Sequence, residues 1–174
     1  LRLAVIDPLT GLFNRRYAFS QIGEIAAQTR SNGGSFAVMV LDLDRFKEVN
    51  DQFGHASGDA VLTEVARRMA ANIRAGDLLA RIGGEEFLIA LPSTNLAMAE
   101  PIAERICRAI EETAFTLLGF APLKVTASIG LAIYESGSAW RNEEVTEVIE
   151  RADQALMIAK SNGRNMVTIS NAAA

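Results

Sequence analysis

Acidic side chains gather at two places where an apolar run meets a polar turn. The run "SFAVMVLDLD" closes on Asp42 and Asp44, and "RIGGEEFLIALP" carries Glu85 and Glu86 at the mouth of a second apolar run. Alternate side chains of an extended chain share a face, so Asp42 and Asp44 point the same way. If the two runs lie side by side, Asp42 and Glu85 converge. Carboxylates brought together repel unless a cation sits between them, and hard oxygen donors suit Mg²⁺. Taken singly, each pair reads equally well as solvated acids at a strand end and a turn. Cations stand at matching places: Lys47 follows Asp42 closely, and "AKSNGR" supplies Lys160 and Arg164. Positive side chains beside a metal site fit a polyphosphate. Lys160 alone also fits a favourable charge at a helix C-terminus.

The elements that must hold these residues alternate along the chain. "FNRRYAFSQIGEIAAQTRSNGG" has helical spacing, with Tyr17, Ile22, Ile25 and Ala26 near one face and Asn32-Gly33-Gly34 as its stop. "SFAVMVLDLD" is a buried strand, and "RFKEVNDQFG" a short helix or turn ending on Gly54. "SGDAVLTEVARRMAANI" is an amphipathic helix with Val61, Val65, Met69 and Ile73 on one face, opening at Ser57 or Asp59. "DLLARI" and "EFLIALP" are short strands, and Gly83-Gly84 between them suits a tight hairpin built on positive φ. A helix over 96–113 tolerates Pro101 only in or near its first turn. "LKVTASIGLAIY" is a strand, "NEEVTEVIERADQALMIAKSNG" a helix and "NMVTIS" a closing strand. The pattern predicts an α/β sandwich around one mixed sheet.

Composition narrows the function classes. A chain of 174 residues with 49% hydrophobic and 22% charged side chains is sized and balanced for one globular domain. A net charge of -4 speaks against a broad nucleic-acid-binding face. A small anionic substrate remains compatible, because a metal and local cations can neutralise it. The single cysteine, Cys107, cannot form an internal disulfide and suits a reducing cytoplasm as a buried small hydrophobe. The single histidine, His55, excludes a multi-histidine zinc site. No apolar run approaches the roughly 18 residues of a membrane span. The opening "LRLAVIDPLTG" reads as the end of an upstream linker helix over 1–6, leading into a domain over 7–170 and a disordered tail over 171–174.

With four ordered motifs, "DPLTGLFNRR", "LDLDRFKEVNDQFGHASGD", "GGEEF" and "ADQALMIAKSNGRN", the sequence resembles the GGDEF family of diguanylate cyclases from Asp7 to Ile169. That resemblance implies a central five-stranded mixed β-sheet wrapped by helices, similar to class III nucleotide cyclases and polymerase palm domains. It implies condensation of two GTP molecules into cyclic di-GMP with release of two pyrophosphates, in the output domain of a response-regulator or sensor protein.

Carried over motif by motif, the resemblance makes Asp42, Glu85 and the Leu43 carbonyl ligands of Mg²⁺ or Mn²⁺, with Glu86 assisting. It makes Asn50 and Asp59 guanine readers. Guanine presents adjacent N–H donors that one carboxylate can accept, whereas spacing alone leaves Asp59 equally a helix N-cap. His55 falls near the nucleotide. Lys47, Lys160 and Arg164 fall on phosphate, as do backbone amides around Arg45 and Phe46. Gly83 and Gly84 let the hairpin backbone approach the triphosphate. Glu85 is the family's usual proton acceptor, a task a metal-bound carboxylate performs weakly, and Lys47 faces the leaving pyrophosphate. Catalysis by a two-fold homodimer under an upstream regulatory domain follows from the same resemblance.

Arg74 and Asp77 match an RxxD site where cyclic di-GMP inhibits, with Arg105 as a second arginine; on pattern alone they read as a helix-end arginine and a turn aspartate. Met157 stands where the family usually has Tyr and Leu41 where Phe is frequent, both read as packing variants. The alternative function is a non-catalytic module that binds GTP or cyclic di-GMP as a sensor.

Overall fold

Sheet order follows from which strands are apolar throughout. The structure, a computed structural model, describes residues 4–137 and 143–171. Its elements run α1 (Arg15–Asn32), β1 (Ser35–Leu43), α2 (Phe46–Phe53), α3 (His55–Ala70), β2 (Leu78–Arg81), β3 (Glu86–Leu91), α4 (Leu96–Glu112), β4 (Ala127–Glu135), α5 (Val145–Ser161) and β5 (Val167–Ile169). The five strands form one sheet in the order β2-β3-β1-β4-β5. β1 is central, antiparallel to both β3 and β4, and only β5 runs parallel to its neighbour. The sheet is therefore mixed, as the sequence predicts.

Both faces of β1 are covered, which is why it reads as a continuous apolar run. Ala37, Met39, Leu41 and Leu43 pack with Val61, Val65 and Met69 of α3 and Ala103, Ile106 and Ile110 of α4. Phe36, Val38 and Val40 pack with Ala18, Ile22 and Ala26 of α1 and Val148, Ala152 and Leu156 of α5. Each fully buried Leu, Ile or Val stabilises by about 1.5–3 kcal/mol, so these two clusters fix the three-layer order. Alternation then puts Asp42 on the α1/α5 face. α5 lies very close to the sheet there: a Cβ on Gly130 of β4 would fall 1.9 Å from the Ala152 carbonyl oxygen.

Several expectations are corrected. Residues 4–6 do not end a helix; Ile6 forms an isolated bridge with Phe13, while 1–3 and 172–174 lie outside the described residues. Neither Gly83 nor Gly84 has positive φ. The connection spans 82–85, closed by Ile82 and Gly83 N–H groups donating to the Glu86 carbonyl at 2.9 and 3.3 Å, so it is wider than a two-residue turn. α3 opens at His55 after Gly54 (φ 86°, ψ 164°) with no side-chain cap, so neither Ser57 nor Asp59, both inside the helix, starts it. Pro101 lies beyond the first turn of α4. Leu41 is a core residue, but Met157 is 65% exposed and is not part of the core.

Candidate active site

Five strand and helix ends meet at one edge of the sheet, and the acids and cations singled out from sequence divide between that edge and its surroundings. Asp42 is the last residue of β1 paired with β3, and its direct partner across that ladder is Glu86. Glu85 sits just before β3, where its carbonyl accepts from the Leu43 N–H at 3.2 Å. The two acidic clusters are therefore neighbours. Sequence reasoning chose Glu85 as the residue facing Asp42; the register gives that place to Glu86.

Charge is concentrated here. Burial raises the Asp42 carboxyl above the usual carboxylate range, against the pull of Lys160, and the Glu85 and Asp44 charges push the same way as burial. Burial likewise raises Glu86, with Asp42, Asp153 and Glu85 adding to it and Arg15 opposing. Asp153 of α5 was not singled out from sequence, and it borders with Arg15, Ile82 and Glu86 a groove of about 360 Å³.

A cation is already lodged among these oxygens. The Lys160 ammonium lies 3.2 Å from Asp42 Oδ1, 2.9 Å from Asp44 Oδ1 and 3.5 Å from the Leu43 carbonyl oxygen. Its α5 position thus does more than complement a helix end. Two of these three acceptors, Asp42 and the Leu43 carbonyl, are the oxygens expected to hold a divalent ion. The donor set is hard oxygen and net negative, which fits Mg²⁺ or Mn²⁺. Among the described residues no three His, Cys, Asp or Glu side chains form a closed metal cage. Mg²⁺ commonly takes one or two carboxylates and completes its shell with water and substrate phosphates, so an open set suits it.

Beyond Asp44 the chain turns into α2 through Arg45, whose φ of 57° is left-handed. No side chain caps α2, so the N–H groups at its start, Phe46 and Lys47, have no capping side chain. Arg45 itself is exposed and pairs with Glu48 at 3.5 Å. Lys47 is exposed in the first turn. α2 meets α3 at a Gly54 corner, where Asn50 leans on Gly58: a Cβ there would fall 1.9 Å from Asn50 Oδ1. His55 and Asp59 are exposed on the same stretch of α3, next to that contact. The structure gathers Asn50, His55 and Asp59 at one corner.

Arg164 follows Lys160 in a loop where Gly163, Arg164 and Asn165 have φ of 118°, 66° and 50°. Glu86 folds over Gly83, with Oε2 3.0 Å from where a Cβ would stand; around Gly84 there is open space.

Sequence reasoning missed Arg81. Its guanidinium donates to the Gly83 carbonyl at 3.2 Å and to the Gly84 carbonyl at 2.9 Å, and reaches Asp7 at 3.3 Å. Asp7 also accepts from the Thr10 N–H and hydroxyl at 2.9 and 2.7 Å. "DPLTG" is thus a turn that anchors the Gly-Gly connection. The only signal was an arginine just ahead of carbonyls that need donors.

Arg74, Asp77 and Arg105 lie in a separate corner. Asp77, its side chain 2% exposed, accepts from the Arg74 N–H at 2.7 Å, and the Arg74 guanidinium donates to the Pro92 carbonyl and Thr94 hydroxyl at 3.1 and 3.0 Å. Arg105 donates to Asn72 at 3.0 Å. The two arginines share the region after α3 but are held by different partners. Cys107 is buried, and burial pushes its thiol up to about 11, which leaves it inert. No helix among the described residues is long and apolar enough to cross a membrane.

The family model described as "Diguanylate cyclase, GGDEF domain" matches residues 4–166. The response regulator PleD of Caulobacter vibrioides is 44% identical over 168 residues, covering 96% of this chain and 36% of PleD. Diguanylate cyclase DgcP of Pseudomonas aeruginosa is 40% identical, covering 95% of this chain and 24% of its own. The chain thus spans about a third or less of these relatives. The GGDEF domain of DgcB from Caulobacter crescentus, solved in complex with c-di-GMP, superposes with a TM-score of 0.91 at 30% identity over 99% of this chain and 96% of that one.

Proposed function

The chain belongs to the GGDEF-domain family of diguanylate cyclases, and from that premise we propose that it condenses two GTP molecules into cyclic di-GMP. The observation that carries this reading is the Lys160 ammonium on Asp42 and the Leu43 carbonyl, beside Glu85 and Glu86 and the uncapped start of α2. That is a cation place flanked by a phosphate cradle.

In the reaction the 3′-oxygen of one GTP bonds to the α-phosphorus of the other, the α–β bridging bond breaks, and pyrophosphate leaves. The second half repeats this in the opposite sense. Asp42, the Leu43 carbonyl and Glu85, with Glu86 assisting, would hold a divalent ion, Mg²⁺ or Mn²⁺, which when bound would withdraw charge from the α-phosphate and acidify the 3′-OH. Glu85 takes the 3′-OH proton. The α2 amides from Arg45 and Phe46 onward hold the terminal phosphate with partial positive charge. Lys47 meets the leaving pyrophosphate, Lys160 and Arg164 its other oxygens. Asn50 and Asp59 accept the guanine donors, with His55 beside them; adenine lacks that donor pair and would leave Asp59 unpaired.

Each GTP must be nucleophile and electrophile at once, and one such edge holds one GTP. Two domains across a two-fold axis bring each 3′-OH to the other α-phosphate. An upstream regulatory domain controls that pairing. Cyclic di-GMP returns to Arg74, Asp77 and Arg105 as a product inhibitor, because guanidiniums grip its phosphates and guanine edges. The domain works in the cytoplasm, where GTP is available.

The test is direct. The domain fused to a dimeriser is incubated with GTP and Mg²⁺ and the nucleotides are separated. Cyclic di-GMP is expected; GTP bound but unconverted would mean a sensor module instead.

A further inference from the structure

Asp44 neither lies on β1 nor faces solvent, and every oxygen position it offers is taken. Its side chain is 3% exposed. Oδ1 accepts from the Ser128 hydroxyl at 2.7 Å and the Lys160 ammonium at 2.9 Å. Oδ2 accepts from the Thr126 hydroxyl at 2.8 Å and the Asn165 N–H at 3.0 Å. These four donors fill the carboxylate's accepting capacity. Two of them come from β4 and its approach and fix the carboxylate; the other two lead outward, to Lys160 and to the loop that carries Arg164.

We propose that Asp44 is a positioning residue that sets the Lys160 ammonium and the Arg164 loop for the phosphates of the substrate. This rests on the reading of Lys160 and Arg164 as phosphate contacts. Asp42 is a poorer holder of Lys160. It is 21% exposed, its contact is longer at 3.2 Å, and it is needed for the divalent ion. A metal taking Asp42 and the Leu43 carbonyl would strip Lys160 of two of its three acceptors. Asp44 keeps the third.

The loop repeats the logic. Arg164 and Asn165 are both left-handed without being glycine, a conformation that persists only where the surroundings over-determine it. Asn165 is held by Asp44 at its N–H and by Glu111 at its side-chain amide. Arg164 then leaves the loop in a preset direction, so less freedom is lost when phosphate arrives.

A double-mutant cycle separates positioning from mere support of the fold. Affinity for a non-hydrolysable GTP analogue with Mg²⁺ and turnover of GTP are measured on the dimeriser fusion. Asp44→Asn should weaken analogue binding about tenfold, as expected for loss of a charge-assisted hydrogen bond. In a background lacking both positioned groups, Lys160→Met with Arg164→Ala, the same change should cost roughly twofold or less, because the groups it positions are gone. An equal loss in both backgrounds overturns the proposal. If Asp44→Asn does not fold, Ser128→Ala, which frees one side of the carboxylate, should weaken binding about threefold in the native background and have no effect in the Lys160→Met, Arg164→Ala background; equal losses again overturn it. Failure of the cyclase reading looks different: the analogue binds and the cycle closes, yet no cyclic di-GMP forms. Absence of analogue binding in the unsubstituted protein overturns both.

Discussion

Glu86 stands directly across the β1–β3 ladder from Asp42, and burial raises both carboxyls above the usual carboxylate range. A carboxylate whose folded pKa is raised holds its proton more tightly in the native state than in the unfolded chain. Its contribution to stability therefore falls as pH rises from the ordinary carboxylate value through the raised one, and above that window the charged pair is a standing penalty. Without divalent ions, Glu86→Gln should melt higher than the parent at pH 7, by about 1–3 °C given its partial exposure. The gain should shrink as pH is lowered through the window. Equal melting temperatures at pH 7, read by calorimetry with a chelator present, would show that the pair carries no penalty.

Gly58→Ala tests the proposed guanine-reading role of Asn50. The added Cβ would meet Asn50 Oδ1 at 1.9 Å and the Phe46 ring at 3.2 Å, so the Asn50 side chain must leave its place against α3. The expected result is a rise of roughly tenfold in KM for GTP, about 1.4 kcal/mol, with kcat less affected. Steady-state kinetics on a folded variant decide it.

The Arg81–Asp7 pair, 19% and 18% exposed, predicts a link between the first turn of the domain and the Gly-Gly connection. Arg81→Leu frees the Gly83 and Gly84 carbonyls and leaves Asp7 with only the donors of Thr10. kcat should drop about tenfold, as a loosened catalytic turn implies, with KM changing less. Hydrogen exchange at 83–85 should accelerate in the same variant; unchanged exchange would remove Arg81 as the anchor.

Arg74→Ala and Asp77→Ala should part company. Arg74 is half-exposed, and its loss should relieve inhibition by cyclic di-GMP while sparing the uninhibited rate. Asp77 is buried against its own turn and receives the Arg74 N–H, so Asp77→Ala should also cost about 1–2 kcal/mol of stability. Inhibition curves and urea melts on both variants check this together.

What could be read from sequence was whatever rests on periodicity and punctuation. β1 is apolar on both faces and declared itself a buried strand; Asn32-Gly33-Gly34 closed α1 where expected. The charged end of the sheet was legible only through the combination of Asp42, Lys160 and the paired glutamates, because each alone reads equally well as a solvated strand-end or turn acid or a helix-end charge. Register was not legible. Whether Glu85 or Glu86 faces Asp42 depends on a one-residue choice fixed by a connection spanning 82–85, and glycines alone suggested a tighter turn. Asp44 looked like the twin of Asp42, yet its partners Thr126, Ser128 and Asn165 come from distant parts of the chain that only the fold assembles. Arg81 was silent for the same reason: its work is on carbonyls, which leave no mark in a sequence.

The most direct measurement is Mn²⁺ binding followed by electron paramagnetic resonance, with a non-hydrolysable GTP analogue present, in the parent domain and in Asp42→Asn and Glu85→Gln. Shared coordination predicts that each substitution weakens Mn²⁺ binding by about tenfold or more while the fold melts normally. Mn²⁺ held equally tightly by all three proteins would contradict the account at its centre.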